Sequence, residues 1–197
     1  MPNEMTDVRF DLEGRFVPNG YALPLWSEVT RILPALEDFE LAGILPLKGA
    51  ASGEGLLLPR RAKLALRIPA SFVRNALELS GKTLDIEGNP LYVGTGAPRE
   101  IEAYPTLRSQ FVASEKTETD FLEEIEEELE QLEISCKWIC GRKQTLKNGK
   151  TIISGYSLAV HDLKPPASIR LQQVGLGNYR RLGCGIFVPH KTIAGLD

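Results

Sequence analysis

The chain has 197 residues, enough for one mid-sized domain or two small ones. At 43% apolar and 25% charged it is too apolar for global disorder, and no uninterrupted apolar run approaches the ~18 residues of a membrane span. The net charge of −3 gives no sign of a uniformly basic chain, three cysteines imply no disulfide framework, and Asn3, Glu4 and Asp7 interrupt any signal-peptide core, so a cytoplasmic protein with no membrane association is expected.

Residues 8–16 have strand character and end at Pro18-Asn19-Gly20. Leu25, Val29, Ile32 and Leu36 then recur at helical spacing behind Pro24, which suits a helix start. Residues 41–47 read as a second strand, and 56–58 with 63–68 as a third, interrupted by Pro59. A short helix over 71–79 buries Phe72, Val73, Ala76 and Leu77 and stops at Gly81. Residues 83–86 and 91–93 form a last extended ribbon, and Gly94, Gly96 and Pro98 mark a linker.

The second half repeats this order. Residues 106–113 are a strand, and 120–132 a helix with Phe121, Leu122, Ile125, Leu129 and Leu132 on one stripe. Strands over 135–140 and 151–160 flank a hairpin turn in which Asn148-Gly149 supplies positive φ angles. A short helix over 166–172 and a strand over 184–188 close the chain. Each half thus reads βαββαβ, so the expected fold is α+β, with tandem ferredoxin-like (RRM-like) domains at 1–97 and 98–197 and a C-terminal glycine-rich loop.

Charge is segregated within this frame. Residues 115–133 hold ten acids and one base, whereas 137–191 hold ten bases and one acid. An acidic helix followed by a basic C-terminal third points to a polyanion-binding face. Arg60, Arg61, Lys63 and Arg67 form a second basic cluster in the first half.

Several enzyme classes are excluded. Ser80-Gly81-Lys82-Thr83 ends like a phosphate-binding P-loop, but Ala76 stands where that loop needs glycine, and the segment follows a helix instead of opening one. Cys136, Cys140 and Cys184 with His161 and His190 lack the compact pairing of a zinc site, so no metal and no cofactor are expected. There is no Gly-x-Ser-x-Gly elbow.

The segment 175–187 is different. Gly175, Gly177, Gly183 and Gly185 bracket Tyr179, Arg180 and Arg181. Glycine lets backbone approach a bulky ligand and expose amides, arginine offers forked donors for phosphate, and tyrosine offers a stacking face. Arg180 stands where a dinucleotide-binding fingerprint needs glycine, so capture of RNA phosphates is the better reading.

The stretch from Ser168 to Gly177, and then Arg180-Arg181-Leu182-Gly183-Cys184-Gly185-Ile186-Phe187-Val188-Pro189, resembles the C-terminal motif of the RAMP superfamily of CRISPR-associated proteins. It is similar to one small-sized branch of the repeat-processing endoribonucleases. Gly20-Tyr21-Ala22-Leu23, Ser80-Gly81-Lys82-Thr83-Leu84-Asp85, Pro105-Thr106-Leu107-Arg108 and Gly155-Tyr156 fit that branch in order. The resemblance implies binding of the hairpin in a CRISPR repeat transcript and a metal-independent cut at its 3′ base. It also implies retention on the RNA as one subunit among others of an effector complex.

In that branch a histidine is expected just before the Gly-Tyr, and here Asn19 stands there. An amide does not titrate near neutral pH. Three readings stay open: Tyr21 acts through a lowered pKa, His190 supplies the imidazole, or the protein is a weak or inactive nuclease that chiefly holds RNA. The candidate catalytic set is therefore Asn19, Tyr21 and His190. Arg142 and Lys143, near the hairpin tip, join Gly175, Gly177, Tyr179, Arg180, Arg181, Gly183 and Gly185 as candidate RNA contacts. Paired ferredoxin-like domains also bind amino acids, which leaves a small-molecule regulatory protein as the rival reading.

Overall fold

A computed structural model describes residues 4–191. Its backbone packs into two compact units. Of the described residues, the first takes 4–100, together with Lys147–Ile152 and Arg180–Gly183; the second takes Ile101–Leu146, Ile153–Tyr179 and 184–191.

In the first unit the elements run β1 (Met5–Glu13), β2 (Phe16–Pro18), α1 (Ala22–Ile32), β3 (Gly43–Ile44), β4 (Ala50–Ser52), β5 (Gly55–Leu57), β6 (Ala62–Pro69), α2 (Val73–Ala76), β7 (Thr83–Ile86) and β8 (Asn89–Arg99). The main sheet has the order β3-β6-β1-β8-β7, with β1 antiparallel to both neighbours. Leaving out the added β7, this is the ferredoxin-like order. Val8, Phe10 and Leu12 alternate inward from β1 and pack with Leu64, Leu66 and Ile68 of β6. Leu25, Trp26 and Val29 of α1, with Phe72, Ala76 and Leu79, complete this core.

Helix α1 ends four residues before the expected Leu36 because Pro34 cannot continue it; a 3-10 turn over Pro34–Asp38 still delivers Leu36 to the core. The expected third strand proves to be two. β6 joins the main sheet, while β5 joins a small separate sheet of order β2-β5-β4. Gly94, Gly96 and Pro98 are not a linker but the end of β8, where Phe10 pairs with Gly96 and Val8 with Pro98. A Cβ at Gly96 would collide with the Phe10 ring, so that glycine marks a close approach. β7 pairs β8 only over Asn89–Tyr92, which leaves one side of β8 unpaired at Pro98, where a missing N–H costs nothing.

Polar pairs organise the outer side of this sheet. Asp7 and Arg67 stand opposite each other across β1 and β6, and both are buried. Their two hydrogen bonds, Nε to Oδ1 at 2.8 Å and Nη2 to Oδ2 at 3.2 Å, are bidentate. Lys63 bonds Asp11. The basic cluster read from sequence therefore divides: Arg67 is a buried structural partner, Lys63 is neutralised, and Arg60 and Arg61 remain exposed.

The second unit holds β9 (Leu107–Ala113), α3 (Glu118–Gln131), most of β10 (Lys137–Asn148) and β11 (Thr151–His161), whose connecting tip Lys147–Ile152 counts with the first unit, α4 (Pro165–Val174) and β12 (Val188–Pro189). The sheet order β10-β11-β9-β12 is again ferredoxin-like. Phe121, Ile125 and Leu129 of α3 face Leu107, Val112, Tyr156 and Leu158, and Phe121 stacks on Tyr156 at 4.6 Å. The acids cover the remaining faces of α3. That helix starts two residues earlier than expected because Thr117 caps it, accepting the Asp120 N–H. The final strand is shorter than expected. Only Val188–Pro189 pairs with β9, because positive φ at Gly183 and Gly185 folds the preceding residues into a buried loop. Among the described residues no helix is long and apolar enough to cross a membrane.

Helix α1 is tied to β7 by Glu28. Its carboxylate accepts the Arg31 guanidinium at 2.8 and 3.0 Å and the Asp85 N–H at 3.0 Å, and these contacts, Arg31 first, pull its pKa from 4.5 down to about 2. A carboxyl depressed in the folded state adds stability above its unfolded pKa and loses it as pH falls toward 2. Glu28→Gln is therefore expected to lower the urea midpoint at pH 7, with the difference from wild type closing between pH 4.5 and 2.

Candidate functional site

In the first unit the site forms where β2 turns into α1. The Asn19 backbone N–H donates to the Glu54 carbonyl at 2.9 Å, and its side-chain Nδ2 donates to the Gly53 carbonyl at 3.2 Å. The Tyr21 N–H closes the turn onto the Pro18 carbonyl. Asn19 is exposed, held in place by the tip of the β4–β5 ribbon.

Gly20 has φ +79°, and the Lys147 side chain lies directly over it. A Cβ there would stand 3.0–3.2 Å from Lys147 Cδ, Cβ and Cγ. Both the backbone conformation and the close approach require glycine. The methylenes of exposed Lys147 therefore pack directly on the loop's backbone. Lys147 is the functional candidate that sequence reasoning missed; its only sequence signal is its place just before the Asn148-Gly149 turn. In that turn Gly149 (φ +58°) and Lys150 take the central positions and only Gly149 has positive φ, so the expected Asn148-Gly149 pair does not supply two positive φ angles.

Tyr21 takes a structural part. Its hydroxyl oxygen accepts the N–H of buried Leu47 at 2.9 Å, tying the start of α1 to the chain beyond β3. Burial pushes its pKa above the ordinary phenol value, against the opposing pull of that bond. A phenol shifted upward supplies no phenolate base near neutral pH, which speaks against the reading in which Tyr21 acts through a lowered pKa.

Arg180–Leu182 form one 3-10 turn in the first unit. Arg181 Nη2 donates to the Glu37 carbonyl at 2.8 Å, and its guanidinium lies 5.7 Å from the Trp26 ring centre. Trp26 follows Tyr21 by five residues, about 7 Å of helix rise. The turn is seated closely, since a Cβ at Gly183 (φ +83°) would approach the Ile44 carbonyl to 2.9 Å. Asn19, Tyr21, Lys147, Arg180 and Arg181 thus belong to one compact body.

The other candidates belong to the second unit. His190 follows β12, its N–H bonded to the Thr106 carbonyl and its side chain half-buried. Tyr179 has φ +63° and is 49% exposed, its ring free to meet a base. Arg142 is exposed, whereas Lys143 lies 3.1 Å from the Lys116 carbonyl and over the Tyr156 ring. The Lys143 ammonium is thus held by the entrance to α3.

The glycine-rich loop does not present the amides expected of it. The N–H groups of Gly175, Gly183 and Gly185 donate to Leu171, Arg180 and Phe111 carbonyls, and that of Gly177 to Glu128 Oε2 at 3.0 Å. A loop this buried must pair its backbone donors internally. The glycines instead supply the positive φ angles that shape it, leaving side chains to face a ligand. Burial pushes the Cys136 thiol up to about 11 and raises that of Cys140, and Cys184 is buried.

Residues 6–192 match the family described as Cas6 Crispr. The CRISPR-associated endonuclease Cas6 of Myxococcus xanthus (strain DK1622) is 31% identical over 186 residues, covering 93% of this chain and 80% of that protein. Of the solved structures, a Cas6-related protein from Pyrococcus furiosus superposes with a TM-score of 0.67 at 13% identity, covering 95% of this chain and 99% of its own. A RAMP protein described as binding different RNA substrates gives 0.62 at 15% identity, covering 92% and 98%. These likenesses bear out the tandem ferredoxin-like fold.

Tyr21→Phe removes the acceptor of a buried N–H. It is expected to cost roughly 1–3 kcal/mol of unfolding free energy, read by urea denaturation.

Proposed function

The chain belongs to the Cas6 family of CRISPR-associated proteins, and we propose that it binds the hairpin of a CRISPR repeat transcript and cuts the RNA at the hairpin's 3′ base. The ribose 2′-oxygen attacks the adjacent phosphorus, the bond from phosphorus to O5′ breaks, and the products carry a 2′,3′-cyclic phosphate and a 5′-hydroxyl. The 2′-OH proton leaves to a base and O5′ gains a proton, so no metal enters the balance. The protein then stays on the hairpin as a subunit of the effector complex.

The observation that supports this site is the Lys147 side chain laid over Gly20 beside exposed Asn19. An ammonium there can offset charge on the five-coordinate phosphorus, and the Asn19 amide can hydrogen-bond the 2′-OH or a phosphate oxygen. Arg180, Arg181 and Tyr179 offer phosphate and base contacts. Placement of the attacking oxygen in line with the leaving group is itself a large part of such catalysis.

Asn19 favours a second reading, a slow or inactive nuclease that holds the hairpin, because no imidazole sits in the loop to move a proton. His190, just past the glycine-rich loop, is the remaining imidazole candidate. The two readings separate in one experiment. Purified protein is incubated with its repeat RNA in EDTA, and product ends are analysed. A single cut with a cyclic phosphate supports the nuclease; tight binding without a cut supports the holding subunit.

Asn19→His is expected to raise the cleavage rate ~10²–10⁴-fold and to introduce a pH dependence near ~6.5. Lys147→Ala is expected to slow cleavage more than it weakens RNA binding, measured as single-turnover rate against Kd.

A further inference from the structure

The β2–β5 pair connects two places on the first unit. At one end Pro18 pairs with Gly55, and Asn19 is bonded to Glu54 and Gly53. At the other end Phe16 pairs with Leu57, and the Leu58 N–H donates to the Arg15 carbonyl at 2.9 Å. Immediately beyond, Arg60 and Arg61 occupy the centre of a turn closed by the Ala62 N–H on the Pro59 carbonyl at 3.0 Å. Ala62 in turn pairs with Leu12, three residues before Arg15.

Arg15, Arg60 and Arg61 are therefore gathered at one corner, and all three are exposed. Among the described residues none of the three side chains makes an ion pair or hydrogen bond. Their basic neighbours differ: Lys63 is held by Asp11, and Arg67 is buried against Asp7. Glu13 lies two residues before Arg15, and opposite it on β8 stands Tyr92, 44% exposed. Three guanidinium groups without ion-pair partners, near an exposed phenol ring, suit a run of phosphates with an unpaired base on the ring.

We propose that this corner is a second phosphate-binding surface, which holds the single-stranded RNA flanking the hairpin. It rests on the assignment of the cleavage site to the Asn19 loop. Four residues of extended strand separate Asn19 from Arg15, about 13 Å. A single strand leaving the loop at Asn19 reaches the arginines within a few nucleotides. The corner would make affinity depend on the flank as well as on the hairpin.

The test uses the full chain and fluorescently labelled repeat RNA in three forms: with both flanks, without the 3′ flank, and without the 5′ flank. Affinity is measured over a series of salt concentrations for wild type and for Arg15→Ala/Arg60→Ala/Arg61→Ala. The variant should bind fully flanked RNA roughly tenfold or more weakly. Its slope of log K against log salt should be shallower by about 2, from three single-strand contacts at about 0.7 each. The loss should vanish on whichever trimmed RNA lacks the flank the corner holds, and Arg60→Lys/Arg61→Lys should keep most of the salt slope. Unchanged affinity for flanked RNA, or an equal loss on all three RNAs, would overturn the corner while leaving the hairpin reading intact. Absence of RNA binding by wild type would instead overturn the hairpin reading, and the corner with it.

Discussion

The buried ion pair between Asp7 and Arg67 sets the register on which the first unit depends. Both residues lie opposite each other on the central strands β1 and β6, each at most 4% exposed. A slip of one residue would turn every side chain of β1 to the other face, driving Val8, Phe10 and Leu12 out of the core. It would also leave two charges buried without partners, which costs more than the pair itself contributes. With that register, β1 ends at Glu13, the chain turns at Gly14-Arg15, and β2 carries Asn19 to the start of α1. The position of the candidate cleavage loop follows from a pairing made twelve residues upstream.

The loop is then fixed by contacts from far along the chain. Gly53 and Glu54 hold Asn19, Leu47 holds Tyr21, and Lys147 covers Gly20. A short loop held from three sides keeps its shape before any ligand arrives, the preorganisation that the proposed in-line displacement would use. Tyr21 and Gly20 serve that rigidity, while Asn19 and Lys147 carry the exposed polar groups.

Glycines in the C-terminal loop serve geometry in the same way. Gly175, Gly177, Gly183 and Gly185 all have positive φ, and each of their amides is bonded within the protein. The side chains of Tyr179, Arg180 and Arg181 are then the loop's candidates for ligand contact, with Arg181 already donating to the Glu37 carbonyl. Similar logic divides the basic residues. Lys143 and Arg67 are engaged with carbonyl oxygens or a carboxylate, while Lys147, Arg142, Arg60 and Arg61 present their charge outward. Composition counts these side chains alike; only their partners separate those that can meet an anion.

The two βαββαβ repeats, the acidic face of α3 and the hairpin at Asn148-Gly149 were legible in the sequence, because periodicity, capping and turn chemistry act over a few residues. The reading failed at 94–98, where glycines and a proline looked like a linker and form the end of β8 instead. Pairing with β1, more than eighty residues away, outweighs local strand propensity there. The same separation hid Lys147, which reaches Gly20 across more than 120 residues, and the burial of Arg67 against Asp7. By itself the sequence determined which segments become strands and helices and that arginines and glycines gather near the C-terminus. Tertiary structure decided which charges are neutralised, which amides are already bonded and which lysine stands over the Asn19 loop, because those outcomes depend on long-range register and packing that no local pattern records.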